Sequence, residues 1–293
     1  MDPRWRSLSY QCTAEELPEG LDAFWHSCAG RLKKMSSSSR SYMRTAKKII
    51  AMEGLYDKMS DLRIKEEMLK VREKAVRNRM EDKDLFTAFA LIREASFRTL
   101  GMRHYPVQLA GALAMYHGNI AEMATGEGKT LTATLAATVA AWRGRGCHVM
   151  TSNNYLAKRD ALEMMPVYKY CGLIVDYIDD EKENDERKAA YDADITYCTN
   201  KDVAADFLRD QLTLGSQKTL SSSLLAKTHG DMDIPCDKTL LRGLEFAIID
   251  EADSVMIDDA VTPLLISGDG GLSPEADVYM KASEIADSLE ENV

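Results

Sequence analysis

The chain carries the sequence Ala-Glu-Met-Ala-Thr-Gly-Glu-Gly-Lys-Thr at positions 121–130, and this stretch decides the fold. The glycine-rich turn ends in Lys129 and Thr130 and leads into a charge-free run, 131–142, with the composition of a buried helix. Glycines let backbone N–H groups face a phosphate, lysine brings a charge to the β- and γ-phosphates, and threonine can ligate Mg²⁺. The stretch predicts a phosphate-binding loop, although Met123 replaces the glycine of the strict pattern and an ordinary glycine turn before a helix also fits.

A second motif decides between those two interpretations. The mainly apolar run 244–249 is followed directly by the acidic cluster 250–253. An apolar strand of a parallel sheet delivers such carboxylates to the ligand-binding edge. Asp250 is then placed to hold the Mg²⁺ shell and Glu251 to polarise the attacking water. A solvated acidic turn is common by itself, but after a phosphate-binding loop the motif predicts a nucleoside-triphosphate hydrolase core.

Length and composition narrow the class of protein. The 293 residues are 45% hydrophobic, enough for one large core or two modest ones. No apolar run reaches the roughly 18 residues of a membrane-spanning helix, and no apolar stretch follows Asp2, Arg4 and Arg6 to form a secretory signal. The six cysteines lie far apart without a C-x-x-C pair, which favours reduced thiols in a cytosolic protein over a metal or disulfide framework.

Charge is distributed unevenly along the chain. Residues 1–100 hold 20 Lys and Arg against 15 Asp and Glu, whereas the remainder holds 17 against 32. Affinity for duplex nucleic acid comes largely from neutralising phosphates with Lys and Arg, so the acidic part is a poor nucleic-acid binder. The basic segment from Arg31 to Lys48 fits either contact with an anionic lipid surface or a solvated helix face.

The pattern along the chain predicts three parts. Residues 1–40 are expected to be a flexible extension, because Ser36 to Ser39 have linker composition. Residues 41–100 are predicted to be helical, with one helix capped at Asp82 or Asp84 and ending at Gly101. Strands then alternate with helices, which predicts an α/β fold with a parallel sheet flanked by helices. The expected strands are 120–123, 147–151, 173–177, 194–198 and 244–249, with helices over 131–142 and 154–170.

Five ordered segments resemble the SecA preprotein translocase motor family. They are 101–109, 121–130, 151–161, 194–210 and 248–264, within a similarity that extends from about Met43 to Gly268. The resemblance implies a RecA-like P-loop NTPase core of the superfamily 2 helicase type over 101–262. It also implies the start of a preprotein cross-linking-type domain at 263–293, and it leaves 211–240 as an insertion. Ala124 and Val261 stand where the family usually has arginine, which indicates a divergent member.

The resemblance also assigns roles to particular residues. Glu251 becomes the catalytic base, Lys129 a catalytic and phosphate-binding residue, and Thr130 with Asp250 the Mg²⁺ ligands. Gln108 is expected to hydrogen-bond the adenine with both edges of its amide, with a buried structural glutamine as the alternative. The full set expected to bind ATP is Arg103, Gln108, Thr125, Gly126, Glu127, Gly128, Lys129 and Thr130.

The family's activity defines the expected function. The resemblance implies an ATPase in the cytoplasm, peripheral to the membrane, that drives unfolded preproteins through a SecY-type channel, and a homodimer is possible. Because the family's second nucleotide-binding lobe supplies a transition-state arginine and is absent from this sequence, the chain is expected to hydrolyse ATP poorly by itself. A non-hydrolysing nucleotide-binding partner and a superfamily 2 nucleic-acid helicase are the alternatives.

Overall fold

A computed structural model describes residues 20–36, 39–214 and 239–259 of the chain. The chain divides into two compact units, Met1–Thr262 and Pro263–Val293. The second unit, expected to be the start of a cross-linking-type domain, lies outside the described residues, as does most of the insertion expected at 211–240. Within the described part, no helix is both long and apolar enough to cross a bilayer.

Five helices form the N-terminal part of the described chain. They are α1 (Gly20–Ser36), α2 (Ser39–Ala51), α3 (Glu53–Tyr56), α4 (Asp61–Val76) and α5 (Asp82–Leu100). The helical segment predicted for 41–100 is therefore confirmed. Residues 20–36 of the expected extension form α1, and 1–19 lie outside the described residues, so its flexibility stays a prediction. Leu21, Phe24 and Trp25 follow helical spacing on α1, and all three are exposed.

Helix α5 has Glu81 as its N-cap residue rather than the predicted Asp82 or Asp84, and Asp84 takes the third helical position. A capping box between Glu81 and Asp84 satisfies the first N–H groups, and Gly101 ends the helix in a left-handed conformation at φ 71°. The apolar face that contains Phe89, Ile92 and Ala95 is fully buried in the main core. The position of the helix is therefore set by both of its ends and by its packing against α2, α4 and the later helix Asn154–Tyr170.

The remaining elements build a parallel sheet with helices around it. In chain order they are α6 (Pro106–Tyr116), α7 (Lys129–Ala141), β1 (Cys147–Thr151), α8 (Asn154–Tyr170), β2 (Val175–Tyr177), α9 (Asn184–Asp192), β3 (Ile195–Thr199), α10 (Asn200–Leu214), β4 (Ala247–Ile249) and a π-helical turn (Ser254–Asp258). The strand order is β2-β3-β1-β4, and every pair is parallel. The predicted α/β class is confirmed.

One predicted strand is wrong in the described structure. Residues 120–123 were expected to form the strand that leads into the phosphate-binding loop, but they are irregular, and Ile120 is 92% exposed. A strand needs a neighbour for its backbone N–H and C=O groups. Among the described residues, β1 already pairs with β3 and β4, and no strand lies beyond β4 to pair with 120–123.

A buried ion network fastens α9 to α10. The Arg187 guanidinium donates to Asp206 at 3.0 Å and to Asp202 at 2.8 Å, and the Tyr191 hydroxyl donates to Asp206 at 2.8 Å. Asp206 is fully buried, so this carboxylate depends entirely on these partners and on Arg209. The network holds α10 in place behind β3.

Arg242 forms hydrogen bonds just before the start of β3. Its guanidinium donates to the carbonyls of Asp192 and Asp194, which lie at the entry to β3. It also lies against Gly146, where a Cβ atom would overlap it and where φ is 84°. The turn into β1 therefore requires glycine for space and for conformation.

Three of the described cysteines are core residues. Cys147, Cys171 and Cys198 are buried and free, and burial raises the pKa of the Cys147 thiol to about 12. Desolvation likewise raises the pKa of the other two thiols. Such thiols are poor nucleophiles and poor metal ligands.

Candidate nucleotide-binding site

The glycine-rich turn forms the start of α7. Gly126 and Gly128 adopt positive φ angles of 87° and 78°, and Gly128 is the N-cap residue immediately before Lys129. The first N–H groups of a helix have no carbonyl partner within it, and the helix dipole adds partial positive charge there. The Lys129 side chain is exposed and has no ion-pair partner in the described part of the chain. This end of α7 has the backbone and charge of an anion-binding site.

Gln108 connects the segment at 101–109 to this turn. Its side-chain oxygen accepts from the Tyr105 N–H at 2.9 Å, and its Nε2 donates to the Glu127 carbonyl at 2.7 Å. The residue is 6% exposed, and a Cβ atom at Gly128 would collide with its Nε2 at 2.6 Å. Both ends of the amide thus hold protein partners in this structure, which is the structural role weighed as the alternative. Adenine recognition by Gln108 stays a prediction.

His104 forms a second connection to α7. Its Nε2 donates to the Leu131 carbonyl at 2.9 Å, one turn from the phosphate-binding loop. Burial lowers the pKa of this imidazole to about 4, and the nearby Arg93 charge lowers it further, whereas the hydrogen bond to Leu131 raises it. The ring is therefore neutral at pH 7. The sequence reasoning missed this residue, although it lies inside the segment quoted for the family resemblance.

Arg103 is held by two carboxylates of the helical part. It forms ion pairs with Glu53 of α3 and with Glu94 of α5, the latter at 3.2 Å. Its guanidinium carbon lies 4.0 Å from the centroid of the Phe97 ring. No local pattern indicates the two glutamates, because their proximity depends on how α3 packs against α5. The expected ATP contact of Arg103 also stays a prediction.

The acidic motif follows β4. Asp250 donates its N–H to the Met150 carbonyl of β1 at 2.9 Å, and its carboxylate accepts from the Glu251 N–H at 3.0 Å. Glu251 is exposed and has φ 53°, a left-handed conformation that costs energy for any residue with a side chain. The predicted catalytic base is thus held in a strained backbone conformation, which is a recurrent property of functional sites.

The topology brings the two motifs to the same edge of the sheet. The strands β1, β3 and β4 are parallel, so Thr151, Thr199 and Asp250 lie at their shared carboxyl edge. Helix α7 packs against β1 and is joined to it by the short turn 142–146, so it runs antiparallel to that strand. Lys129, at the beginning of α7, therefore lies toward the edge that carries Asp250 and Glu251.

The oxygen atoms at this edge fit a magnesium ion bound with a nucleotide. The described residues contain no group of three or more His, Cys, Asp and Glu side chains that could hold a metal by themselves. Mg²⁺ typically takes only one or two protein oxygens and completes its shell with phosphates and water. A threonine hydroxyl at Thr130 and a carboxylate at Asp250 have that character.

Glu127 and Thr125 belong to the set expected to bind ATP. The Glu127 carboxylate accepts from the Ala124 N–H at 3.1 Å and so folds back on the loop. Thr125 is exposed. Whether these two residues contact a nucleotide stays a prediction.

Fold and site together define an α/β domain of the RecA-like, DEAD-type class. Residues 29–293 match the model of the SecA DEAD-like domain, and the chain belongs to that family.

Full-length relatives give the same assignment. The chain is 43% identical over 255 residues to the protein translocase subunit SecA of Nitratiruptor sp., covering 86% of this chain and 27% of that protein. It is 38% identical over 281 residues to the protein translocase subunit SecA 2 of Chlorobium chlorochromatii, covering 94% of this chain and 42% of that protein. It is 44% identical over 221 residues to the SecA subunit of Endomicrobium trichonymphae, covering 75% of this chain and 23% of that protein. The chain spans less than half the length of these relatives.

Proposed function

We propose that this chain is the nucleotide-binding portion of a SecA-type ATPase that drives unfolded preproteins through a membrane channel. The observation that carries the proposal is a connection through β1: α7, which begins at Lys129 after the glycine turn, packs against β1, and β4, which pairs with β1, leads directly into Asp250 and Glu251. Membership of the SecA DEAD-like domain family supports the same activity. The relatives named above are translocase subunits.

The loop residues bind the triphosphate in this proposal. Backbone N–H groups at Gly126, Gly128 and Lys129 face the phosphate oxygens, and the Lys129 ammonium neutralises charge on the β- and γ-phosphates. Thr125, Glu127 and Thr130 complete the loop. Arg103 and Gln108 bind the adenine, for which Gln108 must exchange at least one of its present partners, Tyr105 or Glu127.

The acidic motif performs the chemistry. Thr130 and Asp250 would hold a magnesium ion, which supplies charge neutralisation on the phosphates when bound. Glu251 accepts hydrogen bonds from the attacking water and orients it. Glu251 is exposed, so its side chain is accessible to water.

The partners follow from the same assignment. We propose a SecY-type channel and an unfolded preprotein as the protein partners, a cytoplasmic location at the membrane surface, and no nucleic acid; a homodimer is compatible with the proposal. The exposed basic side chains of α2 suit an anionic lipid surface. They are Arg40, Arg44, Lys47 and Lys48.

Nucleotide titration tests the proposal. Wild-type chain and Lys129→Ala are titrated with a fluorescent ATP analogue in the presence of Mg²⁺, and the exposed Lys169→Ala in the last turn of α8 is the matched control. We expect Lys129→Ala to weaken binding about a hundredfold and the control to leave it unchanged. Equal binding by wild type and Lys129→Ala would remove the proposed site.

Hydrolysis needs its own measurement, because a P-loop that lacks a transition-state arginine still binds nucleotide. Phosphate release is followed with unfolded preprotein, with anionic vesicles and with RNA. Stimulation by preprotein supports the translocase function. Stimulation by RNA alone would instead support the helicase alternative, against which the acidic composition of residues 101–293 argues.

A further inference from the structure

A pair of glutamates behind Arg103 makes up a compact ionic cluster. Glu53 lies on the short helix α3 and Glu94 on α5, and Arg103 forms an ion pair with each of them. Glu94 is 5% exposed, and Glu53 is 29% exposed at its side chain. The carboxylates hold the two terminal nitrogens of one guanidinium, a geometry that fixes the position of the group as well as its charge.

Other groups keep the two carboxylates themselves in place. Arg93 donates to Glu53 at 2.7 Å and to the His104 carbonyl at 2.9 Å, and Arg98 donates to Glu94 at 2.9 Å. Arg93 therefore holds both the Glu53 carboxylate and the backbone next to Arg103, and Arg98 holds the Glu94 carboxylate. Such supporting contacts lower the conformational freedom of the side chain that they hold.

The guanidinium still has capacity for a ligand. One of its faces is covered by the Phe97 ring at 4.0 Å, and a quarter of the side chain remains exposed. The ring covers only one face of the planar group. A planar cation with one face stacked, two terminal nitrogens fixed by carboxylates and part of its surface exposed is suited to stack on a flat, polar ring.

We infer that Glu53 and Glu94 are positioning residues for the nucleobase: they hold Arg103 where it contacts the base of the bound nucleotide. The inference rests on the proposed function, because Arg103 acts there as a nucleotide contact. It also connects that contact to α3, so the helical part of the chain takes part in nucleotide selection. Neither glutamate touches the nucleotide itself.

The test compares ATP with inorganic tripolyphosphate, which lacks a base. Affinities for both are measured with Mg²⁺ for wild type, Glu53→Gln, Arg103→Ala and the double variant, with thermal melting of each. Glu73→Gln, which breaks the exposed pair with Arg77 on α4, is the matched control.

We expect Glu53→Gln to weaken ATP binding about fivefold and to leave tripolyphosphate binding unchanged. In the Arg103→Ala background, Glu53→Gln should cause no further loss of ATP affinity, because Glu53 affects the nucleotide only by positioning Arg103. The control should bind both probes like wild type. A purely structural role predicts instead a lower melting temperature and equal losses for the two probes.

Two outcomes overturn the inference: wild-type ATP affinity in Glu53→Gln, or an undiminished loss in the Arg103→Ala background. If Glu53→Gln does not fold, Arg103→Lys replaces it. That variant keeps the charge but cannot hold both carboxylates in a fork, so unchanged ATP affinity would overturn the inference as well. Lys129→Ala, measured alongside, separates the two claims: if it leaves both probes unaffected, the proposed function fails independently of Glu53.

Discussion

The Nε2 of Gln108 donates to the backbone carbonyl of Glu127 at 2.7 Å, and this bond joins the segment before α6 to the glycine-rich turn. The oxygen of the same amide accepts from Tyr105. One side chain therefore holds both the start of α6 and the loop that precedes α7. Any change in the amide alters two backbone segments of the candidate site together.

Replacing Gln108 by glutamate tests this connection. The carboxylate cannot donate to the Glu127 carbonyl, and two acceptors would face each other across a short distance, which costs more than losing the bond alone. We expect ATP affinity to fall about tenfold in Gln108→Glu. The measurement is a titration with a fluorescent ATP analogue, with Gln211→Glu on α10 as the control. Unchanged affinity in Gln108→Glu would contradict the role of this amide.

Substitution of Glu251 by glycine tests whether the backbone is strained at this position. Glycine adopts φ 53° without the steric cost that a side chain adds, so Glu251→Gly should raise the free energy of unfolding by about 1 kcal/mol. The same change removes the proposed base, so hydrolysis should drop at least about a hundredfold while ATP binding persists. Denaturant titration and phosphate release measure the two effects.

The matched control for this strain is Asn78, which also has a positive φ, 52°, at an exposed position. Asparagine tolerates the left-handed region better than glutamate does, so Asn78→Gly should stabilise less and leave hydrolysis unchanged. Equal stabilisation by the two substitutions would show that Glu251 carries no special strain.

We expect the free energy of unfolding to decrease in acid because two histidines are buried. Desolvation lowers the pKa of His104 and of His148 to about 4 each, and the Arg242 charge adds to the effect at His148. The unfolded chain takes up these protons near pH 6.5 and the folded chain only near pH 4. Stability should therefore decrease as pH falls through this window, by about 3 kcal/mol for each histidine.

Chemical denaturation at several pH values checks this prediction. His148→Phe removes one titrating group from the core and should flatten the dependence between pH 6.5 and 4 by about half. The exposed His26→Phe serves as the control and should leave the slope as it is. An unchanged slope in His148→Phe would mean that this ring does not titrate on unfolding.

The Arg187 network predicts a large loss of stability. Arg187→Met leaves the buried carboxylates of Asp202 and Asp206 without their cation, which should cost about 3–5 kcal/mol. Arg77→Met removes only an exposed pair with Glu73 and should cost less than about 1 kcal/mol. Denaturant midpoints compare the two variants, and equal midpoints would contradict a stabilising role for the network.

Local pattern predicted several elements with little error. The run at 147–151 and the helix at 154–170 match β1 and α8 in their bounds, because apolar patterning and an N-cap are local signals. The Asn153 side chain accepts from the Leu156 N–H and sets the start of α8. Gly101 likewise ends α5 as its position predicted.

Tertiary relationships account for what the sequence reasoning missed. The segment 120–123 has strand composition, but strand pairing depends on a neighbour that no local pattern specifies. The partners of Gln108 and of Arg103 are set by how α3, α5 and α7 pack. Residues of the candidate site were recognisable by type and order, whereas their hydrogen-bond partners required the fold.

The contact between Gly146 and Arg242 has a consequence for sequence change. The arginine occupies the space that any larger residue at 146 would need, although nearly a hundred positions separate the two in the chain. A side chain at 146 would displace the arginine from the carbonyls of Asp192 and Asp194 and would also be strained at φ 84°. A shorter residue at 242 relieves only the first of these costs, so glycine at 146 is constrained both by its own backbone and by a residue of the segment that approaches β4.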